Sequence, residues 1–525
     1  MRENKLRQLC SRLDIRSVGL VIVTMIAFFG AGLGWAVASP IGGSPDDDFH
    51  MGSIWCPRPI GQSCAVKMID GVEKVRVPVP VAAGAACHAF KSDSSAADCN
   101  VDISTNELMW SHRYDNGDYP TGYYAFQHLF VQEDVGKSII LMRTINLAIA
   151  VLLMGLIGVF IRSDQRAAFL LPMMVCWVPM GQYFIASINP SSWAIVGLYG
   201  FATAMFGAAT AKDWRRWVLL GLGIFSAVLC LSSRRDVSFY LFVVAVAFVF
   251  AIKWNKKNIV PAVVTAFIGF VGAYSITLGG QAKHVTAGFE AEGNLLRTAV
   301  HTILDFPRYI AGMFGVTYGP GWFDTPLDGP VTYTALFVFS GALMAGLRSG
   351  TWRKWLSATV ILGAMGGIPL VFILKGTFIG FGDYQPRYMI PLLGVLLFLL
   401  FVVGAQQKRI FDLPQLIIVG VAVSVINSIA LHIVMQRYIS GFKPPHLFNL
   451  NNNMEWWWNI AIAPMTVWVL ASVSFAIGVM VGVVFIHRNS FNSDEVQKAL
   501  IIESDKSMSY GDITGSTTAP QRVLM

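Results

Sequence analysis

Charged side chains are scarce in this sequence. Aspartate, glutamate, lysine and arginine make up 13% of its 525 residues, whereas 54% of the residues are hydrophobic. Soluble globular domains carry about 25% charged residues, so the composition excludes an ordinary soluble enzyme and predicts a membrane protein. The formal net charge of +8 is modest. Most of it falls in short loops, which fits a membrane protein better than a surface that binds nucleic acid.

Several patterns that would identify a site are missing. The sequence contains no glycine-rich phosphate loop of the Walker type, no cysteine–histidine spacing typical of zinc, and no internal repeat. A P-loop nucleotide site, a zinc module and a repeat array are therefore not indicated. Three consecutive carboxylates at 46–48 resemble an oxygen-ligand cluster, but nothing else has ligand spacing. We expect no metal and no cofactor.

The chain has only seven cysteines. Cys10 lies in the N-terminal tail, and Cys176 and Cys230 lie in apolar runs, where they are expected to be packed thiols. The other four fall within one polar loop: Cys56, Cys64, Cys87 and Cys99. An even number in one loop favours two disulfides on a non-cytoplasmic side. We expect pairing between neighbours, 56 with 64 and 87 with 99, although other connectivities and four free thiols stay open.

Long apolar runs dominate the rest of the chain and predict an all-α polytopic membrane protein with about twelve transmembrane helices. The first, residues 17–38, ends in Ala36-Val37-Ala38 like a signal peptide, but it can span a bilayer, so we interpret it as a retained anchor. The other runs lie near 138–161, 167–187, 192–211, 217–232, 237–253, 259–278, 331–348, 356–375, 388–404, 413–435 and 459–486.

Basic residues predict the orientation of these runs. The short basic connections are 162–166, 212–216, 253–257, 348–354 and 406–409. Because cytoplasmic loops are enriched in lysine and arginine, every second loop is expected to be cytoplasmic. The N-terminal tail 1–16 and a disordered tail 487–525 are then also cytoplasmic. The large loop 39–137 lies outside, and 138–486 forms the multi-span domain.

The predicted outer connections include an interfacial segment, 279–330. Within it, one helical face is apolar and the opposite face is polar; the apolar residues are Leu295, Leu296, Ala299, Val300, Ile303 and Leu304, and the polar ones are Arg297, His301, Asp305 and Arg308. This pattern predicts an amphipathic helix, either in the membrane interface or packed on the protein's own outer loop.

The polar stretch 44–50 follows directly on the first run. Ser44 is expected to cap a helix whose first residue is Pro45, with Asp47 reaching back as a capping-box acid. Asp46 and His50 would then lie four apart on one face, with Asp47 three residues from His50. The acids either complement the helix dipole or place a reactive carboxylate at the mouth of a span.

Residues 45–50 resemble the Pro-Asp-Glu-x-x-His signature of a family of multi-pass membrane proteins of unassigned function, with Asp47 in place of glutamate. That family in turn resembles glycosyltransferases of the GT-C fold. Further similar motifs follow in order: Tyr-Pro-Thr-Gly-Tyr-Tyr at 119–124, with Thr121 in place of a proline, Arg143 with Asn146, Asn189-Pro190, Gly-Trp-Phe-Asp-Thr at 321–325, and Gln-Pro-Arg-Tyr at 385–388. The resemblance spans roughly residues 17 to 405.

The resemblance implies a GT-C-like transferase in the bacterial plasma membrane, with its active site on the outer face. It would move a sugar from a polyprenyl-phosphate donor to a cell-envelope glycan or lipid acceptor, usually with inversion, using as base an acid just after the first span. Such chemistry must deprotonate a hydroxyl and neutralise a departing phosphate. We expect Asp46 to be the base. Asp47 would raise the pKa of Asp46 or orient the acceptor, and His50 would bond either acid or be structural.

The donor phosphate calls for arginine, because its guanidinium offers two parallel donors and stays charged. Arg387 is the first candidate, and it should share one cavity with Asp46. Arg234 and Arg235 follow, although one of them can pair with Asp236. Arg143 lies inside a span and needs a partner, so a nearby carboxylate would make it structural.

Other residues of the motifs complete the expected donor site. Tyr119, Tyr123 and Tyr124 would either stack on sugar or seat the loop in the headgroup layer. Gln385 and Tyr388 are carried over from the Arg387 motif. The implied partners are the lipid-linked donor, the acceptor and membrane lipids, without nucleic acid.

Three other functions stay open. A transporter or flippase for a lipid-linked saccharide would suit about twelve spans with intramembrane Arg143 and His432. An oligosaccharide polymerase or ligase would use the same donors, but the acidic cluster favours the transferase. A non-catalytic envelope scaffold would use the cysteine loop as its binding module.

Overall fold

The computed structural model describes residues 15–511 except 87, 97, 99–101, 104, 106, 279–294, 328, 382, 404–409, 443–447, 453–455 and 459, and it describes no side chains in 15–17 or 489–511. Helix α1 is Ile15–Val37. The loop that follows α1 contains α2 (Asp47–Trp55), β1 (Val66–Ile69), β2 (Val72–Pro78), α3 (Val79–Ala83), β3 (Leu108–Ser111) and α4 (Thr121–His128).

The remaining helices follow almost without interruption. They are α5 (Val135–Phe160), α6 (Arg166–Cys176), α7 (Met180–Ile185), α8 (Ser191–Thr210), α9 (Arg215–Ser233), α10 (Arg235–Ala251), α11 (Ile259–Ser275), α12 (Leu295–Gly312), α13 (Pro330–Gly346), α14 (Trp352–Leu374), α15 (Ile390–Val402), α16 (Leu413–Ile439) and α17 (Pro464–Gly511). Helix α17 thus continues to Gly511, through part of the segment for which the sequence predicts disorder.

Within the described residues, eight helices are long and apolar enough to cross a membrane: α1, α5, α8, α9, α11 with the turn before it, α14, α16 and the part of α17 up to Arg488. The chain is therefore a mostly helical membrane protein, but the predicted count of about twelve spans is not confirmed. Every apolar run except 167–187 corresponds to one helix. That run is split into α6 and α7, because Pro179 disfavours helical backbone at the residue before it.

Helix α15 lies at the centre of the bundle. All of its 13 residues are buried, and it packs against α6, α8 and α14. A helix that is hydrophobic on every side is stable only in such surroundings. Helix α8 is almost as deeply buried. Arg387 lies in the 3-10 turn Pro386–Met389, which leads directly into α15. The position of Arg387 is therefore fixed by the buried helix that follows it.

A three-stranded antiparallel sheet in the loop after α1 corrects the all-α prediction. Its strand order is β1-β2-β3, and Val66 pairs with Val75 while Val75 pairs with Ser111. Asp70 and Gly71 form the tight turn between β1 and β2, both with positive φ, as two-residue hairpin turns require. On β2, Val75 and Val77 are buried, so this strand anchors the sheet to the loop's core.

One disulfide staples the same loop. Cys56 and Cys64 are bonded, with their Cα atoms 5.5 Å apart, which confirms the first of the two predicted pairs. Cys87 and Cys99, the second pair, lie outside the described residues, as does Cys10. Cys176 and Cys230 are buried free thiols, as predicted. The disulfide closes the chain directly after α2 and holds its C-terminal end.

Helix α12 has the predicted amphipathic pattern. Its apolar face is uncovered, since Leu296 is 72% and Leu304 is 71% exposed. The polar residues are exposed as well, and a third side packs on the bundle, where the ring of Tyr309 lies 4.1 Å from that of Phe381. Because the protein's own loops leave the apolar face open, the exposure favours a helix lying in the membrane interface. That location stays a prediction.

Candidate active site

Asp46 lies at the turn that begins α2. The helix starts at Asp47 rather than at Pro45, so the expectation that Ser44 is the N-cap is wrong. Half of the expected capping box does form, because the Ser44 amide donates to Asp47 Oδ2 at 2.9 Å. Asp46 itself adopts left-handed backbone, with φ 62°, a conformation that aspartate tolerates better than most residues. The turn therefore separates the Asp46 side chain from those of the helix.

Two arginines face the Asp46 carboxylate. Arg387 Nη2 donates to Asp46 Oδ2 at 2.9 Å, and Arg113 Nη2 lies 3.7 Å from Asp46 Oδ1. Burial raises the pKa of Asp46, but the positive charges of Arg387 and Arg113 outweigh it and hold the pKa below its ordinary value. The carboxylate is therefore ionised. Its side chain is still 41% exposed, so a hydroxyl group can reach it.

Arg387 is buried beside that exposed carboxylate, with only 3% of its side chain accessible. Aromatic rings surround its guanidinium: Phe323 at 5.0 Å, Tyr388 at 5.2 Å and Phe184 at 5.6 Å. Its Nε and Nη1 atoms have no hydrogen-bond partner among the described residues. Buried donors without partners cost free energy, and the charged donors of a guanidinium favour an anion as the missing partner.

Asp47 and Arg143 form a sealed structural pair. Asp47 is inaccessible and lies 3.8 Å from Arg143 Nη2. Burial raises the pKa of Asp47 to about 7, against the opposing charge of Arg143. Arg143 donates to the carbonyls of Ala36 and Ser39, both at 2.8 Å, and of Pro40 at 3.0 Å. Arg143 thus caps the C-terminal end of α1, where a cation is favoured, and neither side chain is open to substrate.

His50 bonds a tyrosine and neither carboxylate, which fits the structural alternative rather than the acid partner. Its Nδ1 lies 2.9 Å from the Tyr124 hydroxyl. Burial lowers the pKa of His50 to about 3, helped by Arg234 and Arg387 and opposed by Asp46. The imidazole is therefore neutral near pH 7. Its ring lies edge-on to Tyr119, 5.5 Å between centroids, so His50 positions the aromatic wall.

The three tyrosines of residues 119–124 have different environments. Tyr123 and Tyr124 are buried inside the protein, so neither reaches a headgroup layer or an open sugar site. Tyr123 donates to the Ile188 carbonyl and accepts from Asn146 Nδ2 at 3.0 Å. Tyr119 is half-buried and lies 6.0 Å from the Arg234 guanidinium. Of the three, Tyr119 is the one that a substrate can contact.

The remaining candidates divide between the site and its surroundings. Arg234 donates two hydrogen bonds to the Asp236 carboxylate, from Nε at 3.0 Å and from Nη2 at 3.1 Å. Its guanidinium also lies over the ring of Tyr388, 4.5 Å from the ring centroid. Arg234 therefore borders the site but is already paired. Arg235 points elsewhere and bonds Ser275 Oγ at 3.3 Å. Gln385 accepts from Tyr309 through its backbone carbonyl at 3.4 Å, while its side-chain oxygen is buried and has no hydrogen-bond partner among the residues that the structure describes.

Two ion pairs were not anticipated from the sequence. Arg113 forks onto Asp48, with Nε and Nη2 at 2.8 and 3.1 Å from the carboxylate. Arg437 is buried, bonds Asp324 at 2.8 Å, and donates to the carbonyls of residues 88, 91 and 94. Arg437 lies at the end of α16 on the side expected to be outside, where arginine opposes the orientation rule. This unusual placement of an arginine was the one feature of the sequence that pointed to a role for Arg437.

The sequence motifs converge on the backbone just before Asp46. Asn189 Nδ2 donates to the Pro45 carbonyl at 3.1 Å, and Trp322 Nε1 donates to the Gly42 carbonyl at 2.8 Å. Tyr183 holds the Gly43 carbonyl at 2.8 Å and accepts from the Gly321 amide. Residues far apart in sequence thus fix the position of a single carboxylate, as preorganised sites require.

The three consecutive acids do not converge on one point. Asp46 faces Arg387, while Asp47 and Asp48 face Arg143 and Arg113. Over the part of the chain that the structure covers, no group of three or more histidine, cysteine or carboxylate side chains is placed to hold a metal ion. The chemistry that this arrangement offers is an accessible proton acceptor beside a buried anion-binding guanidinium.

Comparison with known families gives one result. Residues 29–397, more than half of the chain, match the family model described as Predicted membrane protein (DUF2142). Comparison with curated proteins and comparison with solved structures each yield no match. The matched range contains Asp46, Arg143 and Arg387. It supports the predicted kinship with multi-pass membrane proteins, and it says nothing about glycosyltransferases. The chain belongs to the DUF2142 family of predicted membrane proteins.

Proposed function

We propose that this chain is a membrane glycosyltransferase with a GT-C-like arrangement. It moves a sugar from a polyprenyl-phosphate donor to a cell-envelope glycan or lipid, at the outer face of the bacterial plasma membrane and with inversion. The observation that supports this most strongly is the contact between Asp46 and Arg387, 341 residues apart in sequence. It joins an accessible carboxylate to a buried guanidinium with two unpartnered donors.

Arg387 binds the phosphate of the donor in this proposal. Its Nη1 atom supplies donors to a phosphate oxygen, while Nη2 keeps its bond to Asp46. Charge-assisted bonds of this kind are stronger than neutral ones. They gain strength as negative charge develops on the departing phosphate, so they stabilise the transition state more than the ground state. The surrounding aromatic rings exclude water from the guanidinium.

Asp46 is the general base. Its carboxylate removes the proton from the acceptor hydroxyl as that oxygen forms a bond to the anomeric carbon. The bond between the anomeric carbon and the donor phosphate breaks, and its electron pair leaves with the polyprenyl phosphate. Attack on the face opposite the leaving group gives inversion. Asp46 suits this role because Asp47 is sealed by Arg143 and Asp48 is held by both arms of Arg113.

The low pKa of Asp46 makes it a weak base before the donor binds, because an effective base has a pKa near the working pH. The main opposing charge is that of Arg387. A phosphate on Arg387 places negative charge beside the same guanidinium and offsets its effect, so the pKa of Asp46 rises. The donor therefore strengthens the base that activates the acceptor.

A transporter or flippase for a lipid-linked saccharide is the second candidate. One observation favours it: the segment of α6 and α7 is interrupted next to the site, and Phe184 of α7 contacts Arg387. Interrupted helices often line transport sites. The two functions differ in their products, since a transferase breaks the sugar–phosphate bond and a flippase leaves it intact.

The experiment is a transfer assay with the purified full-length chain in lipid nanodiscs. Donors are polyprenyl phosphates that carry labelled hexoses or pentoses, and acceptors are envelope glycan and lipid fractions. We expect label in the acceptor and release of polyprenyl phosphate with at least one donor, and loss of both in Asp46→Asn. Movement of intact donor across a bilayer without bond cleavage would instead support the flippase.

A further inference from the structure

A cavity of about 110 Å³ lies inside the helical bundle, between α1, α5, α6, α7 and α17. Its wall includes Val21, Phe28, Leu147, Phe169 and Phe475. A buried water needs roughly 10–15 Å³, so this space would hold several waters, yet cavities with apolar walls stay dry and bind apolar groups. The cavity therefore suits a hydrocarbon.

The lining is almost free of polar groups. Thr24 and Gln182 carry the only hydroxyl and amide side chains in it, and the Thr24 hydroxyl is already bonded to the Leu20 carbonyl at 2.8 Å. Much of the remaining wall is methionine: Met25, Met154, Met173 and Met174. Methionine side chains are flexible and polarizable, so they adapt to irregular apolar shapes. A methyl-branched chain is such a shape.

Glycines form part of the wall and keep it open. Gly155, Gly158, Gly478 and Gly482 all line the cavity. At Gly482 an added Cβ atom would meet only the Met174 sulfur, at 4.0 Å. A small side chain there would fit beside its neighbours and extend into the cavity. On α5, the lining residues Val151 and Gly155 are each followed by an exposed leucine, Leu152 and Leu156. The cavity therefore lies close to the outer surface of the bundle.

Helix α7 connects this cavity with the polar site. Gln182 and Ile185 line the cavity, whereas Phe184 lies 5.6 Å from the Arg387 guanidinium and Tyr183 holds the Gly43 carbonyl. One helix, about 10–12 Å across with its side chains, therefore separates the two spaces. A lipid with a phosphate head and a long chain can occupy both.

We propose that the cavity holds about one isoprene unit of the polyisoprenoid chain of the phosphate lipid whose headgroup binds Arg387. The inference rests on the proposed function and adds a second, apolar binding site for the donor. The chain's methyl branches pack against the methionines, and its length spans the distance around α7. Recognition of the carrier chain is thus built into the membrane-embedded part of the protein, apart from the site of bond cleavage.

The test measures binding of farnesyl phosphate to the full-length chain in detergent, with inorganic phosphate, farnesol and dodecyl phosphate as comparison ligands. Gly482→Leu fills the cavity, and Gly363→Leu is its matched control because a Cβ at Gly363 meets nothing within 4 Å. We expect Gly482→Leu to weaken farnesyl phosphate about tenfold or more, since it displaces several buried carbons. Inorganic phosphate should be unaffected, and Gly363→Leu should match the unmodified chain.

A farnesyl phosphate that carries a photoreactive group on its chain gives a second readout without any substitution. Its crosslinks should map to α1, α5 and α6 around Met25 and Met174. Binding that needs Arg387 but ignores Gly482→Leu, with crosslinks elsewhere, would overturn the cavity assignment and leave the proposed function standing. Equal binding of dodecyl phosphate would overturn the preference for an isoprenoid. No binding of any phosphate lipid would overturn both proposals.

Discussion

Replacing Asp46 by asparagine should separate catalysis from donor binding. Asparagine has nearly the same shape as aspartate and also tolerates positive φ, so the turn at φ 62° can persist. It cannot accept a proton from the acceptor. Loss of a general base typically costs about 10²–10⁴-fold in rate, and we expect a fall of that size in kcat.

The same substitution should tighten the binding of phosphate. Arg387 and Asp46 are 2.9 Å apart, and unit charges at that distance interact by about 1.4 kcal/mol even at the dielectric constant of water. Because Asp46 is 41% exposed, this water-like value is the suitable lower bound. It corresponds to roughly tenfold in an equilibrium constant. Without the carboxylate charge, Asp46 no longer offsets the charge of Arg387 or repels the phosphate, so the Kd of the phosphate should fall by about that factor.

The assay compares turnover and the Kd of farnesyl phosphate in the unmodified chain, Asp46→Asn and Asp70→Asn. Asp70 is an exposed turn residue with φ 54°, so Asp70→Asn makes the same chemical change at a matched backbone conformation outside the site. We expect Asp70→Asn to leave both quantities unchanged. Retained turnover in Asp46→Asn, or weaker phosphate binding, would refute the reasoning.

Three other features can be tested by substitution: the guanidinium of Arg387, the buried carboxyl of Asp47 and the ion pair of Arg437 with Asp324. Arg387→Lys replaces a planar guanidinium by a point charge and should lower kcat/KM about 10–100-fold, in line with loss of a charge-assisted bond. Arg235→Lys, outside the site, should change kcat/KM by no more than about twofold. Equal effects of the two substitutions would contradict the phosphate-binding role of Arg387. Burial raises the folded-state pKa of Asp47 from 3.8 to about 7, so the folded chain binds more protons than the unfolded chain. The thermal midpoint of unfolding should therefore fall as pH rises between about 4 and 7. Asp47→Asn should reduce this dependence of the midpoint on pH, and an unchanged dependence would count against the buried carboxyl. Arg437→Met leaves the buried Asp324 carboxylate without its cationic partner and should lower the free energy of unfolding by about 3–5 kcal/mol. The thermal midpoint should fall in this variant and be partly restored in the double variant Arg437→Met with Asp324→Asn. An unchanged midpoint in the single variant would argue against the ion pair.

The apolar runs predicted the helices well, because a lipid-facing or bundle-facing helix needs an uninterrupted apolar sequence. The split between α6 and α7 was missed, although Pro172 and Pro179 both lie in that run. The sheet in the loop after α1 was missed as well. Its signal was present: Asp70-Gly71 between alternating residues is a typical hairpin pattern.

The candidate site was only partly predictable. The position of Arg387 at the end of a span, in a recognisable motif, led to the expectation that it meets Asp46, and the two side chains are in contact. The partners of His50, Arg113 and Arg437 were not predictable, because they depend on how distant loops fold over one another. The left-handed backbone at Asp46 was not predictable either, since its neighbours formed a plausible helix start.

The most direct test of the central claim is a density map of the full-length chain with bound farnesyl phosphate. We predict that a phosphate oxygen lies within about 2.7–2.9 Å of Arg387 Nη1, the range of charge-assisted hydrogen bonds, and that the phosphate lies next to the Asp46 carboxylate. A phosphate bound at another arginine, or on the opposite side of the membrane from Asp46, would contradict the account.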